Sequence, residues 1–129
     1  MKNKGIQILF ILVVFTISLS HAGQSQDEAL LEAVEKGDIE GVKISLAKGA
    51  NINTKGVYRN DTALIRAATQ GSAEIVKVLL QKGAAANERD KFGATALMYA
   101  ASEGHASIVQ KLIESGADVN AKDRYGKTA

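Results

Sequence analysis

The segment Thr62-Ala63-Leu64-Ile65-Arg66-Ala67-Ala68 returns 33 residues later as Thr95-Ala96-Leu97-Met98-Tyr99-Ala100-Ala101. Gly71 and Gly104, Gly83 and Gly116, Gly93 and Gly126, and Thr95 and Thr128 keep the same interval of 33. Upstream, Gly37 to Gly71 and Gly49 to Gly83 span 34, so one extra residue lies between Gly49 and Thr62. A fixed period of this length marks a stacked-repeat architecture.

One unit reads as two helices and a loop. Leu64, Ala67 and Ala68 fall at i, i+3 and i+4, one face of a short helix. The small size of the alanines predicts a neighbour packed close against them. Gly71 breaks that helix, and a second runs from about Ser72 to Gln81. Ile75, Val76, Leu79 and Leu80 form its apolar stripe. Gly83 ends it in the left-handed conformation, and Ala84 to Asp90 makes a polar connection. Such a unit cannot cover its own apolar faces, so it stacks on its neighbours.

The stretch Gly93-Ala94-Thr95-Ala96-Leu97-Met98-Tyr99-Ala100-Ala101-Ser102-Glu103-Gly104-His105 resembles the ankyrin repeat. Gly116-Ala117-Asp118-Val119-Asn120-Ala121-Lys122-Asp123 resembles that family's connecting turn. The resemblance covers residues 27–129. It implies an all-α fold: an ankyrin-repeat solenoid of stacked antiparallel helix pairs with protruding connecting loops. The family's Thr-Pro-Leu-His is replaced by Thr62-Ala63-Leu64-Ile65 and Thr95-Ala96-Leu97-Met98, without proline or histidine. These helix starts are expected to be less rigid, with the threonine hydroxyls still able to cap.

The predicted organisation is a signal peptide over 1–22 and a repeat domain over 23–129. Within the domain, 27–55 is an N-terminal capping repeat, 60–90 a second repeat, 91–123 a third, and 124–129 the truncated start of a fourth. The first unit lacks the Thr-Ala-Leu start and carries Gly41 and Ser45 where the second has Ile75 and Leu79. Its first helix is acidic, with Asp27, Glu28, Glu32 and Glu35, as suits a polar cap. The last unit stops at Thr128-Ala129. Leu97, Ile108 and Leu112 are therefore expected to lose packing on one side. That leaves a fragment of a longer array, or a chain that self-associates through its uncapped C-terminal end.

The amino-terminal segment has the three parts of a secretory signal. Lys2 and Lys4 precede the apolar run Ile6 to Leu19, and Ser20-His21-Ala22 places small residues at the junction. Fourteen residues span roughly 21 Å as a helix, short of the ~30 Å bilayer interior. Cleavage after Ala22 is predicted, with retention as an anchor the alternative. The expected location is exported, either periplasmic or secreted.

Composition removes whole classes of function. The 129 residues include no cysteine, proline or tryptophan, so disulfides, thiolate metal sites and cysteine nucleophiles are absent. The net charge of +2 vanishes once Lys2 and Lys4 are removed, leaving 14 basic and 14 acidic residues. A neutral protein does not attract nucleic acid or an anionic membrane at long range. After processing one histidine remains, His105. It is read as bonding a neighbouring loop, with a metal-binding or enzymatic accessory role centred on it as the alternative. Ser72, Ser102, Ser107 and Ser115 have no histidine–carboxylate relay beyond His105. No phosphate-binding glycine loop occurs. No cofactor and no enzymatic activity are expected.

The resemblance implies a protein-binding scaffold whose contacts come from first-helix faces and loop tips. On the helix faces these are Arg66, Thr69 and Gln70, then Tyr99, Ser102 and Glu103, with Glu32, Glu35 and Lys36 in the first unit. At the tips they are Tyr58, Arg59 and Asp61, then Lys91, Phe92 and Ala94, then Arg124, Tyr125 and Lys127. The processed chain keeps four aromatics, Tyr58, Phe92, Tyr99 and Tyr125, and all fall on this side. Aromatics and arginine dominate interface hot spots. Tyr58 and Tyr99 are expected to be exposed. For Phe92 and Tyr125, local packing that stiffens the loops is an equal alternative. The expected partner is another protein.

Overall fold

The computed structural model describes residues 25–129, and the predicted signal segment lies outside them. The described residues form helices α1 (Gln26–Glu35), α2 (Ile39–Ala47), α3 (Ala63–Gln70), α4 (Ala73–Gln81), α5 (Ala96–Ser102) and α6 (Ala106–Glu114). No strand is present among them; a single antiparallel bridge joins Lys55 and Thr62. The helices pair as α1 with α2, α3 with α4 and α5 with α6. First helices α1, α3 and α5 stack in one layer, and α2, α4 and α6 in a second. No helix of the described residues is long and apolar enough to cross a membrane.

Local chemistry sets the helix starts. The Thr62 hydroxyl accepts the Ile65 N–H at 3.2 Å, and Thr95 accepts that of Met98 at 3.4 Å. Ser25 caps α1 and Asp38 caps α2 in the same way. These bonds satisfy otherwise orphaned first-turn donors, so the threonines alone start the helices where proline is missing. Gly71 ends α3 at φ 79°, in the left-handed region open to glycine.

The core is aliphatic and runs through all three pairs. Leu30, Val34 and Val42 belong to the first, Leu64, Ile75 and Leu79 to the second, and Leu97, Ile108 and Leu112 to the third. Ala67, Ala68 and Ala100 have no exposed surface, so the alanines of α3 and α5 sit where successive first helices approach closely.

One expectation is overturned. Leu97, Ile108 and Leu112 are 2%, 1% and 0% exposed, so the outer end of the stack does not uncover them. They belong to the same continuous core as the buried residues of the preceding pair. The residues left uncovered are Met98, Ala101 and Val109, which are half-buried or exposed. Their counterparts one period earlier, Ile65, Ala68 and Val76, are 3%, 0% and 0% exposed beneath the third pair. Each helix has a broad apolar stripe. Only its forward edge depends on a following repeat.

The loops form a linked row. The Lys91 N–H donates to the Arg59 carbonyl and the Arg124 N–H to the Phe92 carbonyl, both at 3.0 Å. Asn53 and Asn87 each accept a backbone N–H from the next loop, of Ala85 and Asp118 respectively. The extra residue predicted between Gly49 and Thr62 lies at the tip. The Gly56 N–H bonds the Asp61 carbonyl five residues on, whereas Asp90 reaches Ala94 and Asp123 reaches Lys127 in four. Val57-Tyr58-Arg59 therefore carries the insertion. Asn60, at φ 55°, takes the left-handed place that Gly93 and Gly126 hold in the later loops.

Candidate docking groove

A groove of about 520 Å³ opens between α1, α3 and the widened 56–61 loop. One wall is the acidic face of α1, with Glu28, Glu32 and Glu35. The floor holds Leu31 and Ile65, and the opposite wall is Val57, Tyr58 and Arg59. Asp90 and Tyr99 of the next repeat close one end.

Arg66 and Asp61 build the inner wall. Asp61 is 5% exposed, and its carboxylate accepts Arg66 Nε at 3.1 Å and Nη2 at 3.2 Å. This two-pronged geometry suits guanidinium and carboxylate. A further oxygen, from Glu35, lies 3.8 Å from Arg66 Nη1. Gly56 makes the pairing possible: a Cβ there would lie 2.2 Å from Arg66 Nη2 and 2.8 Å from Asp61 Oδ1.

The next repeat solves the same problem differently. Tyr99 occupies the place of Arg66, Asp90 that of Gly56, and Ala94 that of Asp61. Asp90 Oδ1 accepts the N–H groups of Phe92 and Ala94, and Oδ2 accepts the Tyr99 hydroxyl. Burial, with the Asp90 hydrogen bond second, pushes the Tyr99 hydroxyl pKa up to about 12. Burial disfavours the phenolate, and so does the adjacent carboxylate.

Nine of the predicted contact residues line this groove: Glu32, Glu35, Tyr58, Arg59, Asp61, Arg66, Thr69, Gln70 and Tyr99. They are not alike. Tyr58 is 88% exposed, and Arg59 is exposed beside it. Asp61 is buried. Tyr99, expected to be exposed, is half-buried against the core. Thr69 donates its hydroxyl to the Ile65 carbonyl at 2.8 Å, and Gln70 donates to the Glu35 carbonyl across the first helices.

The remaining predicted residues lie elsewhere. Lys91 sits 5.1 Å above the Phe92 ring, and Phe92 is half-buried, so this pair is packed locally. Ser102 and Tyr125 line a second depression beyond α5, together with Met98 and Ala101. Glu103 is exposed at the end of α5. Ala94 is 8% exposed and contributes no tip surface.

Sequence reasoning missed Val57, 92% exposed, and the lining roles of Glu28, Leu31 and Asp90. The signal for Val57 was available: an apolar residue falls inside the one-residue insertion of a polar loop. Asp90 was hidden because its role depends on Tyr99, nine residues away.

His105 Nε2 lies 3.3 Å from the Thr69 carbonyl oxygen of the preceding repeat. Its ring covers Gly71, where a Cβ would approach Cε1 to 2.7 Å. The sequence led to the expectation of a bond to a neighbouring loop; the partner is instead the last turn of α3. Among the described residues, no group of three or more His, Cys, Asp or Glu is placed to hold a metal.

A family model described as ankyrin repeats (3 copies) matches residues 30–123. No curated protein matches the sequence.

Proposed function

We propose, from the premise that the chain belongs to the ankyrin-repeat family, that it is an exported, non-enzymatic scaffold docking another protein in the α1–α3 groove. Ankyrin repeats generally mediate protein–protein interaction, and the family is typically non-enzymatic. The observation that carries the assignment to this groove is the inserted tip. Val57 and Tyr58 are 92% and 88% exposed on its rim. A solvated aromatic beside an apolar neighbour becomes favourable when a partner covers it. Behind them, the Arg66–Asp61 pair and the loop-to-loop hydrogen bonds fix the rim before binding, which lowers the ordering cost of association.

Export rests on the basic, apolar and small-residue pattern of 1–22. The formal neutrality of the processed chain supports a protein partner over a nucleic acid. Affinity purification from the exported fraction, with mass spectrometry, is the test. Wild type and V57S/Y58S should capture different sets, the variant losing the specific partner while its circular dichroism is unchanged. Identical sets would remove the groove from consideration. N-terminal sequencing of the exported protein should begin at Gly23; full-length chain confined to the membrane fraction would count against export.

A further inference from the structure

We infer that the occupant of this groove is a short partner segment presenting a lysine or arginine beside an apolar side chain. The inference rests on the docking reading above and adds the chemistry of the partner.

The groove has two unlike walls. Glu28, Glu32 and Glu35 lie at i, i+4 and i+7 on α1, so their carboxylates stand along one helix face. Across from them are the apolar side chains of Val57 and Tyr58. The other charges are largely matched within the protein. Asp61 is held by Arg66, and Asp90 receives two backbone N–H groups and the Tyr99 hydroxyl. Arg59 is the remaining cation of the lining, and it sits on the loop tip rather than on α1.

The lining as a whole carries five carboxylates against two guanidinium groups, a formal excess of three negative charges. Three of those carboxylates stand on α1, where Lys36 offsets Glu32, so the charge offered to the groove is mainly that of Glu28 and Glu35. Glu35 is 70% exposed and faces Arg66 only at 3.8 Å, while Glu32 bonds Lys36 at 2.6 Å. A cation entering the groove meets the side of α1 with its ammonium or guanidinium group. Its apolar neighbour then reaches Val57 and Tyr58. A neutral segment would leave the carboxylates facing apolar surface, and an acidic one would be repelled.

A phage-displayed library of random heptapeptides, selected against the full chain, tests this. Enriched peptides should carry Lys or Arg next to a leucine or aromatic residue. Their affinity should fall roughly two- to thirtyfold in E28Q/E35Q, two exposed ion pairs at their ordinary strength. It should also weaken as salt rises. Circular dichroism of E28Q/E35Q should match wild type. Peptides lost in V57S/Y58S but unchanged in E28Q/E35Q would overturn the charge inference and leave the docking reading standing, as would enrichment of neutral or acidic sequences at the groove. Peptides indifferent to V57S/Y58S, or no enrichment at all, would overturn both.

Discussion

The Tyr99 hydroxyl donates to the carboxylate of Asp90, whose other oxygen accepts the backbone N–H groups of Phe92 and Ala94. One side chain thus ties a first helix to the turn that precedes it. In the repeat before, Arg66 and Asp61 make the equivalent tie, with the carboxylate supplied from the other end of the turn. The exchange leaves Gly56 without a side chain and frees the turn to accept its extra residue.

Tyr99→Phe should cost about 1.5–3 kcal/mol in denaturant unfolding, the worth of one hydrogen bond to a charged group. It should also change the alkaline limb of stability. The hydroxyl pKa is raised from 10.0 to about 12 in the folded protein. Folded protein therefore holds this proton more tightly than unfolded chain. Its contribution is complete below pH about 10 and is lost as pH rises through about 12. In Tyr99→Phe that part of the decline should vanish. The phenolate absorbance missing from the variant should be the one that appears near pH 12, and its appearance near pH 10 would contradict the buried hydroxyl.

Gly56→Ala should break the Arg66–Asp61 pair, since its Cβ falls on Arg66 Nη2. The guanidinium can swing away, but the buried Asp61 carboxylate then loses its partner. A loss of about 1–3 kcal/mol is expected. In a double-mutant cycle with Arg66→Ala, the two effects should be strongly non-additive. Additive losses would show that Gly56 serves another purpose.

Ala68 and Ala101 occupy the same place in successive repeats, yet Ala68 has no exposed surface and Ala101 is exposed. Ala68→Arg should therefore cost more than about 4 kcal/mol, while Ala101→Arg stays within about ±0.5 kcal/mol. Thermal unfolding of the two variants checks this directly. A large loss in Ala101→Arg would mean that this face is covered in solution, by a second copy or another chain.

Leu79→Ala and Leu112→Ala should each cost roughly 2–5 kcal/mol, because both side chains are fully buried in the shared core. Similar losses are expected from the middle and the last repeat. A much smaller loss for Leu112 in chemical denaturation would mean that the last helix pair frays independently of the rest.

Much of this protein is legible in its sequence because a repeat states the same physics more than once. The 33-residue interval, the Thr-Ala-Leu starts and the apolar spacing within each unit specify helix pairs that must stack. Those signals are local, since they rest on turn geometry, capping and periodicity within a few residues. They located the threonine caps, the break at Gly71 and the buried faces of α3 and α4. The resemblance pointed to first-helix faces and loop tips, and the candidate groove lies between two first helices and a loop tip.

Tertiary structure decided which residues on that side are surface at all. Asp61, Arg66 and Tyr99 fall at variable positions on the sequence pattern, yet each carries a hydrogen bond that holds a loop. Leu97, Ile108 and Leu112 looked vulnerable at the end of the stack, but Met98, Ala101 and Val109 are the ones uncovered. Periodicity identifies a helix's apolar stripe without saying which edge faces the previous repeat and which the next. That division, and the choice between a charge that is solvated and one that is paired, depends on atoms brought together from distant parts of the chain.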